Sequence, residues 1–261
     1  MNTKNLLAVS FAAAALFSQV SAHTWSFTLT PETGPRTGYG YSDDGGKVNR
    51  ITSTYNTQTQ RLTYTVNMGK SDANSLPDGF WLALNDGPNP KGIAGELALF
   101  YFDNTKSGGP ILTAYGYNGF NGDSSFRDGS PAAGTQTPDR IRSSITDRSW
   151  INSLTSKDEA NGTRTFSFDI NASVINNRNP LYGSSQTWEG ARFRDKAGIW
   201  FHQVDGLHTS YDSAGYLTNW SWGKQGWVDG ENLKAVPEPF TMSVLGLGLA
   251  AMARRRARKS A

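Results

Sequence analysis

The sequence predicts a mainly β body, arranged as a two-sheet antiparallel β-sandwich of jelly-roll type, and three observations predict it. Apolar and polar residues alternate over several runs of seven or eight residues, the pattern of half-buried strands. Other short runs are apolar without interruption, as strands covered on both faces are. Gly, Pro, Asn and Asp cluster between the runs, where turns use them.

Taken along the chain, Thr24 to Thr30 places Trp25, Phe27 and Leu29 on one face, and Arg61 to Met68 does the same with Leu62, Tyr64, Val66 and Met68. Thr163 to Ile170 repeats the pattern with Phe166, Phe168 and Ile170, and Tyr216 to Trp222 alternates again. Phe80 to Leu84, Leu97 to Phe102 and Ile199 to Phe201 are the continuous apolar runs expected of central strands. Residues 43–46, 86–92 and 104–110 are loops punctuated by glycine or proline, and Asn118 to Asp139 is the longest weakly patterned stretch. Ile141 to Leu154 is the best helix candidate. No repeat of solenoid period and no linker divides the body.

Two terminal signals frame it. Lys4 supplies a positive start, Leu6 to Phe17 an apolar stretch, and Val20-Ser21-Ala22 a small-residue cleavage site, the anatomy of a secretory signal helix over residues 1–22. Signal peptidase is expected to cut between Ala22 and His23, which leaves residues 23–235 as the exported domain. Residues 236–261 hold Pro237-Glu238-Pro239, an uncharged apolar run from Phe240 to Ala253, and then Arg254, Arg255, Arg256, Arg258 and Lys259. The prolines separate the apolar run from what precedes it. Fourteen residues of helix rise only about 21 Å, short of the roughly 30 Å hydrocarbon core. The cation cluster is what a membrane segment uses to hold its end on the cytoplasmic side, so a C-terminal transmembrane helix is expected.

These three pieces, with the Leu245-Gly246-Leu247-Gly248-Leu249 core, resemble the PEP-CTERM sorting signal of Gram-negative surface proteins. The resemblance implies recognition of Pro237, Glu238 and Pro239 by the membrane enzyme exosortase. It also implies transient anchoring in the inner membrane, with Arg254, Arg255, Arg256 and Arg258 inside and the body in the periplasm. Transfer to the cell surface or the exopolysaccharide matrix follows. The stretch from Gly79 to Lys91 is similar to segments of other proteins that carry this tail, and assigns no activity.

Charge excludes one class of partner. The formal charge of +3 and the pI near 9.0 come from the tail cations and Lys4; without the two terminal signals the body is slightly negative. Nucleic acid is therefore not an expected partner. No cysteine is present, so disulfides, thiolate metal sites and cysteine nucleophiles are excluded.

The body lacks a Gly-x-Ser-x-Gly elbow, a Walker loop, a His-Glu-x-x-His helix and a complete EF-hand loop. Trp220, Trp222 and Trp227 form a candidate sugar platform, because C–H faces of sugars pack on aromatic rings; the competing reading makes them core. Asp43/Asp44, Asp72/Asn74 and Asp123/Asp128 offer oxygens to calcium, and equally form turns. Cleavage before His23 would create an N-terminal histidine, which resembles the copper-binding brace of lytic polysaccharide monooxygenases; His202 and His208 are the available second ligands. The reading chosen assigns no cofactor and no catalysis. It expects an exported protein that adheres to or binds the matrix, with a secreted polysaccharide-active enzyme, a copper monooxygenase or glycoside hydrolase, as the alternative.

Overall fold

The computed structural model describes residues 23–30, 41–91, 96–117, 125–126, 140–179 and 187–238. The expected signal helix, the apolar run, Pro239 and the arginine cluster lie outside them, as do Asp123 and Asp128. Among the described residues no helix is long and apolar enough to cross a membrane. The chain separates into a body, Trp25–Val236, and a unit made of the two terminal segments.

The body is mainly β, in several antiparallel sheets. Its strands are β1 (Thr24–Leu29), β2 (Tyr41–Ser42), β3 (Val48–Asn56), β4 (Arg61–Met68), β5 (Gly79–Asn85), β6 (Glu96–Asp103), β7 (Ile111–Tyr117), β8 (Arg140–Ser143) and β9 (Ile151–Asp158). There follow β10 (Arg164–Asn171), β11 (Trp188–Gly190), β12 (Lys196–Asp205), β13 (His208–Tyr211), β14 (Leu217–Ser221), β15 (Lys224–Gln225), β16 (Trp227–Lys234) and β17 (Val236–Pro237). One helical turn, α1 (Ser173–Asn176), interrupts them.

A six-stranded sheet runs β17-β1-β3-β4-β10-β9, and a nine-stranded sheet runs β2-β16-β12-β5-β6-β7-β8 with β11 and β15 attached to β6 and β12. The β11–β6 pairing is parallel, which departs from the fully antiparallel arrangement expected. Both large sheets contribute to one aromatic core. Phe80 of β5 lies 5.0 Å from Phe102, 5.1 Å from Phe201 and 5.8 Å from Phe166 of the facing sheet, all four fully buried. In a chain without disulfides such rings supply much of the buried area.

The two sheets differ in their outer faces. That of the six-stranded sheet is polar, and cross-strand pairs bind it together: Thr54 with Thr63 at 2.7 Å, Thr65 with Ser167 at 2.9 Å, and Asn67 with Thr165 at 3.0 Å. The nine-stranded sheet is covered on both faces at its centre. Every residue of β5 and β6 is buried, and a second core of Trp81, Leu99, Tyr101, Tyr115, Trp200 and Trp220 covers the outside, capped by the β13–β14 hairpin. The continuous apolar runs read as two-sided strands are two-sided.

A buried carboxylate fastens the hairpin. Asp103, fully buried at the end of β6, accepts from the Thr105 N–H and hydroxyl at 2.7 Å each through Oδ1. Its Oδ2 accepts from Thr209 Oγ1 at 2.6 Å and Tyr211 Oη at 2.8 Å. Gly198 shows how tightly the β5–β6 connection lies on β12. A Cβ there would stand 1.8 Å from the Pro88 carbonyl oxygen.

The expected helix over Ile141 to Leu154 is corrected: this segment is β8, a turn and the start of β9. The spacing of Ile141 and Ile145 suits a helix face, but Ile141 is buried and Ile145 is 45% exposed. The Trp150 indole N–H donates to the Asp147 carbonyl at 2.9 Å and closes the turn between the strands. Strands β3, β7 and β16 have no counterpart in the sequence-based expectations.

Removing the Asp103 carboxylate orphans two hairpin hydroxyls. Asp103→Ala should lower unfolding free energy by about 3 kcal/mol and make Trp220 accessible to acrylamide quenching, measured by denaturant titration and tryptophan emission.

Candidate functional site

The body ends where the sorting tripeptide begins. Ala235 is buried and donates its N–H to the Asp195 carbonyl at 2.9 Å, whereas Val236 is 47% exposed and Pro237 is exposed. Within the terminal unit, the Glu238 N–H donates to the Thr24 carbonyl at 3.0 Å. His23, the expected mature N-terminus, is exposed.

A cleft of about 620 Å³ opens at one end of the body, between the β3–β4 turn, the β5–β6 connection, and the segment from α1 through β11 to β12. Asp86, Glu189, Arg192, Arg194, Gln60 and Asn177 supply its polar groups. The Arg194 N–H and Nε donate to Asp86 Oδ1 and Oδ2 at 2.8 and 3.0 Å, so both carboxylate oxygens are engaged. Gln60, held at a φ of 54° by the turn, donates to Asn177 Oδ1 at 3.2 Å. Burial pushes the Glu189 carboxyl up, with Arg192 opposing and Asp86 reinforcing the shift. Tyr55 and Phe193 form a buried aromatic floor, their rings 5.9 Å apart. Sequence analysis singled out none of these residues, because they come together only through the fold.

The three tryptophans of the expected platform do not form one open surface. Trp220 is 1% exposed and meets Tyr101 edge-on at 5.1 Å, so it is core. This corrects its assignment as a platform residue; on β14 the alternating face turns inward onto the nine-stranded sheet. Trp222 is half-buried against the same cluster, and Trp227 is half-buried 6.3 Å from His202.

His202 lies on β12 with its ring stacked on Trp81 at 3.8 Å, and the Gln225 amide N–H donates to its Nδ1 at 2.6 Å. Burial, with the nearby Lys91 charge, drives its pKa down to about 3, so the ring is neutral. His208 is exposed on β13. Among the described residues no group of three or more His, Asp or Glu stands together as a metal site. The Asp43 carbonyl accepts from the Gly46 N–H at 2.8 Å, and Asn74 takes a left-handed φ of 61°; both are turn positions.

Asp229 was not expected. It stands on β16 directly opposite Trp200, is 4% exposed, and is pushed up to about 6 by burial while Lys91 opposes the shift. Its trace in the sequence is the spacing Trp227-x-Asp229, which puts an acid on the same face of the strand as an aromatic ring.

The two buried titratable groups bias stability in opposite directions. The Asp229 pKa is about 6 in the folded chain against an ordinary 3.8, so its ionisation costs stability as pH rises from about 4 to 6. His202 is held at about 3 against an ordinary 6.5, so stability is lost as pH falls from 6.5, where the unfolded chain takes up a proton. In urea titrations Asp229→Asn should exceed the parent in stability at about pH 7.5, and the advantage should vanish by about pH 4.

The family model of the PEP-CTERM protein-sorting motif matches residues 235–259. Comparison with curated proteins and with solved structures found no match. The matched segment carries Pro237, Glu238, Pro239, the apolar run and the arginine cluster, and implies a protein that is exported and sorted by exosortase.

Proposed function

We propose that this PEP-CTERM chain delivers a β-sandwich body to the cell surface, where the body binds matrix polysaccharide without acting on it. The observation that carries the reading is where the motif sits. It begins at the last buried residue of the body, Ala235, and its Pro237 is exposed to a processing enzyme. Before processing, the apolar run from Phe240 to Ala253 holds the precursor in the inner membrane, with Arg254, Arg255, Arg256 and Arg258 in the cytoplasm.

The cleft supports binding in place of hydrolysis. Glycoside hydrolysis needs one carboxyl as proton donor and a second that is available as base or nucleophile. Glu189, with its raised pKa, suits the first role, and this favours the hydrolase as the second reading. Asp86, with both oxygens held by Arg194, does not suit the second role. Arg192, Gln60 and Asn177 present the amide and guanidinium groups that fix sugar hydroxyls.

Two experiments test the halves separately. Intact-mass spectrometry of protein from the native host should show loss of the tail only when exosortase is present and Pro237 is intact; Pro237→Ala should retain it. A full-length tail in wild-type cells would sink the sorting assignment. For the body, Arg192→Ala and Glu189→Gln should each weaken retention on the host exopolysaccharide by about tenfold, with no release of reducing ends by the wild type. Release of reducing ends that Glu189→Gln abolishes would establish the hydrolase.

A further inference from the structure

The sorting tripeptide has exposed side chains and an engaged backbone. Pro237 belongs to β17, which lies at the edge of the six-stranded sheet with β1 as its neighbour in the sheet order. A proline lacks an N–H, so of Pro237, Glu238 and Pro239 only Glu238 offers a backbone donor. That donor is taken: within the terminal unit the Glu238 N–H donates to the Thr24 carbonyl at 3.0 Å. Glu238 is half-buried there, while Val236 and Pro237 are exposed. Immediately before β17, Ala235 is buried, and its N–H donates to the Asp195 carbonyl.

Strand geometry shows what the open side of β17 lacks. Successive residues of a strand turn their N–H and C=O groups to opposite sides. Glu238 turns its N–H to Thr24 of β1, so Pro237 presents its backbone to the open edge, where it has a carbonyl and no donor. An edge without donors is a poor template for a further strand. Peptide segments bound by strand addition are held in extended form through main-chain hydrogen bonds. An enzyme that approaches β17 from the open edge therefore finds no N–H of the tripeptide to hold. The donor it needs is on the other side, bonded to Thr24.

We propose that the pairing of β17 with β1 is a latch on the sorting signal. Exosortase takes the tripeptide only after Glu238 has been peeled from Thr24, and the strength of that edge pairing sets the rate at which the tail is processed. This rests on the sorting assignment and is independent of the cleft. The latch can open because the strand is two residues long. Its acceptor, Thr24, is also the second residue of the chain that signal peptidase is expected to leave, and chain ends fray. Peeling begins beyond Ala235, so it opens the edge and leaves the core closed.

Hydrogen exchange and processing kinetics test the latch together. In the chain that keeps its tail, purified in detergent micelles from cells without exosortase, the Glu238 amide should exchange at least about tenfold more slowly than in a free peptide of residues 234–242. Thr24→Gly, which lowers strand propensity but keeps the carbonyl, should cut that protection about fivefold. In pulse–chase labelling of cells with exosortase, Thr24→Gly should lose the tail about fivefold faster than the wild type. Thr165→Gly, the same exchange on β10 of the same sheet, should leave the rate unchanged. A Glu238 amide that exchanges as in the free peptide would overturn the latch even where the tail is processed. Equal processing of Thr24→Gly and wild type would do the same, as would equal acceleration by Thr165→Gly. A wild type that keeps its tail in the presence of exosortase would overturn the sorting assignment, and the latch with it.

Discussion

The centre of the nine-stranded sheet, strands β5 and β6, has no wet face, and this constraint shapes the rest of the body. A sheet packed on one side can leave its other face to solvent, as the six-stranded sheet does with its rows of threonine, serine and asparagine. Strands β5 and β6 cannot, because each of their residues is apolar or enclosed. The β13–β14 hairpin covers much of that second face, and a hairpin of two short strands is marginal by itself. Asp103 resolves this by taking hydroxyl donors from the hairpin while its other oxygen is satisfied locally by Thr105. Asp78 adds to the same junction, accepting from the Gly206 and Leu207 N–H groups at 2.9 and 3.2 Å.

The legible part of the fold is the part written in local pattern. Period-two alternation located β1, β4 and β10, and uninterrupted apolar runs located β5, β6 and the centre of β12, including their burial on both faces. Strand β3 escaped because Ser53 interrupts its apolar face between Ile51 and Tyr55; it is nonetheless buried, its hydroxyl donating to the Thr63 carbonyl at 2.6 Å. Strand β7 escaped because Thr113, Ala114 and Gly116 carry too little side chain to declare it. What covers the second face was not legible either. Trp220 alternates as a residue of a half-exposed strand would, and the sequence does not say that both halves of its surroundings are protein.

The cleft residues show a different limit. Gln60, Asp86, Asn177 and Arg194 sit in four separate connections and Glu189 on the three-residue strand β11, and each is ordinary in its own neighbourhood. Only packing brings an arginine from after β11 onto an aspartate at the end of β5. The sorting segment is the opposite case. Its signal is contiguous, its three parts follow in order, and the family match covers the residues that the sequence itself marks.

The buried position of Ala235 and the exposure of Val236 and Pro237 bear on the order of events during export. A cut at the tripeptide falls beyond the last core residue and removes no packed side chain of the body. Strand β17, Val236–Pro237, carries the six-stranded sheet into the tripeptide, so a cut there would trim an edge strand and leave the buried core in place. On the function proposed above, the buried core and the exposed tripeptide answer to separate sets of residues, so the stability of the body and its access to processing can be tuned independently.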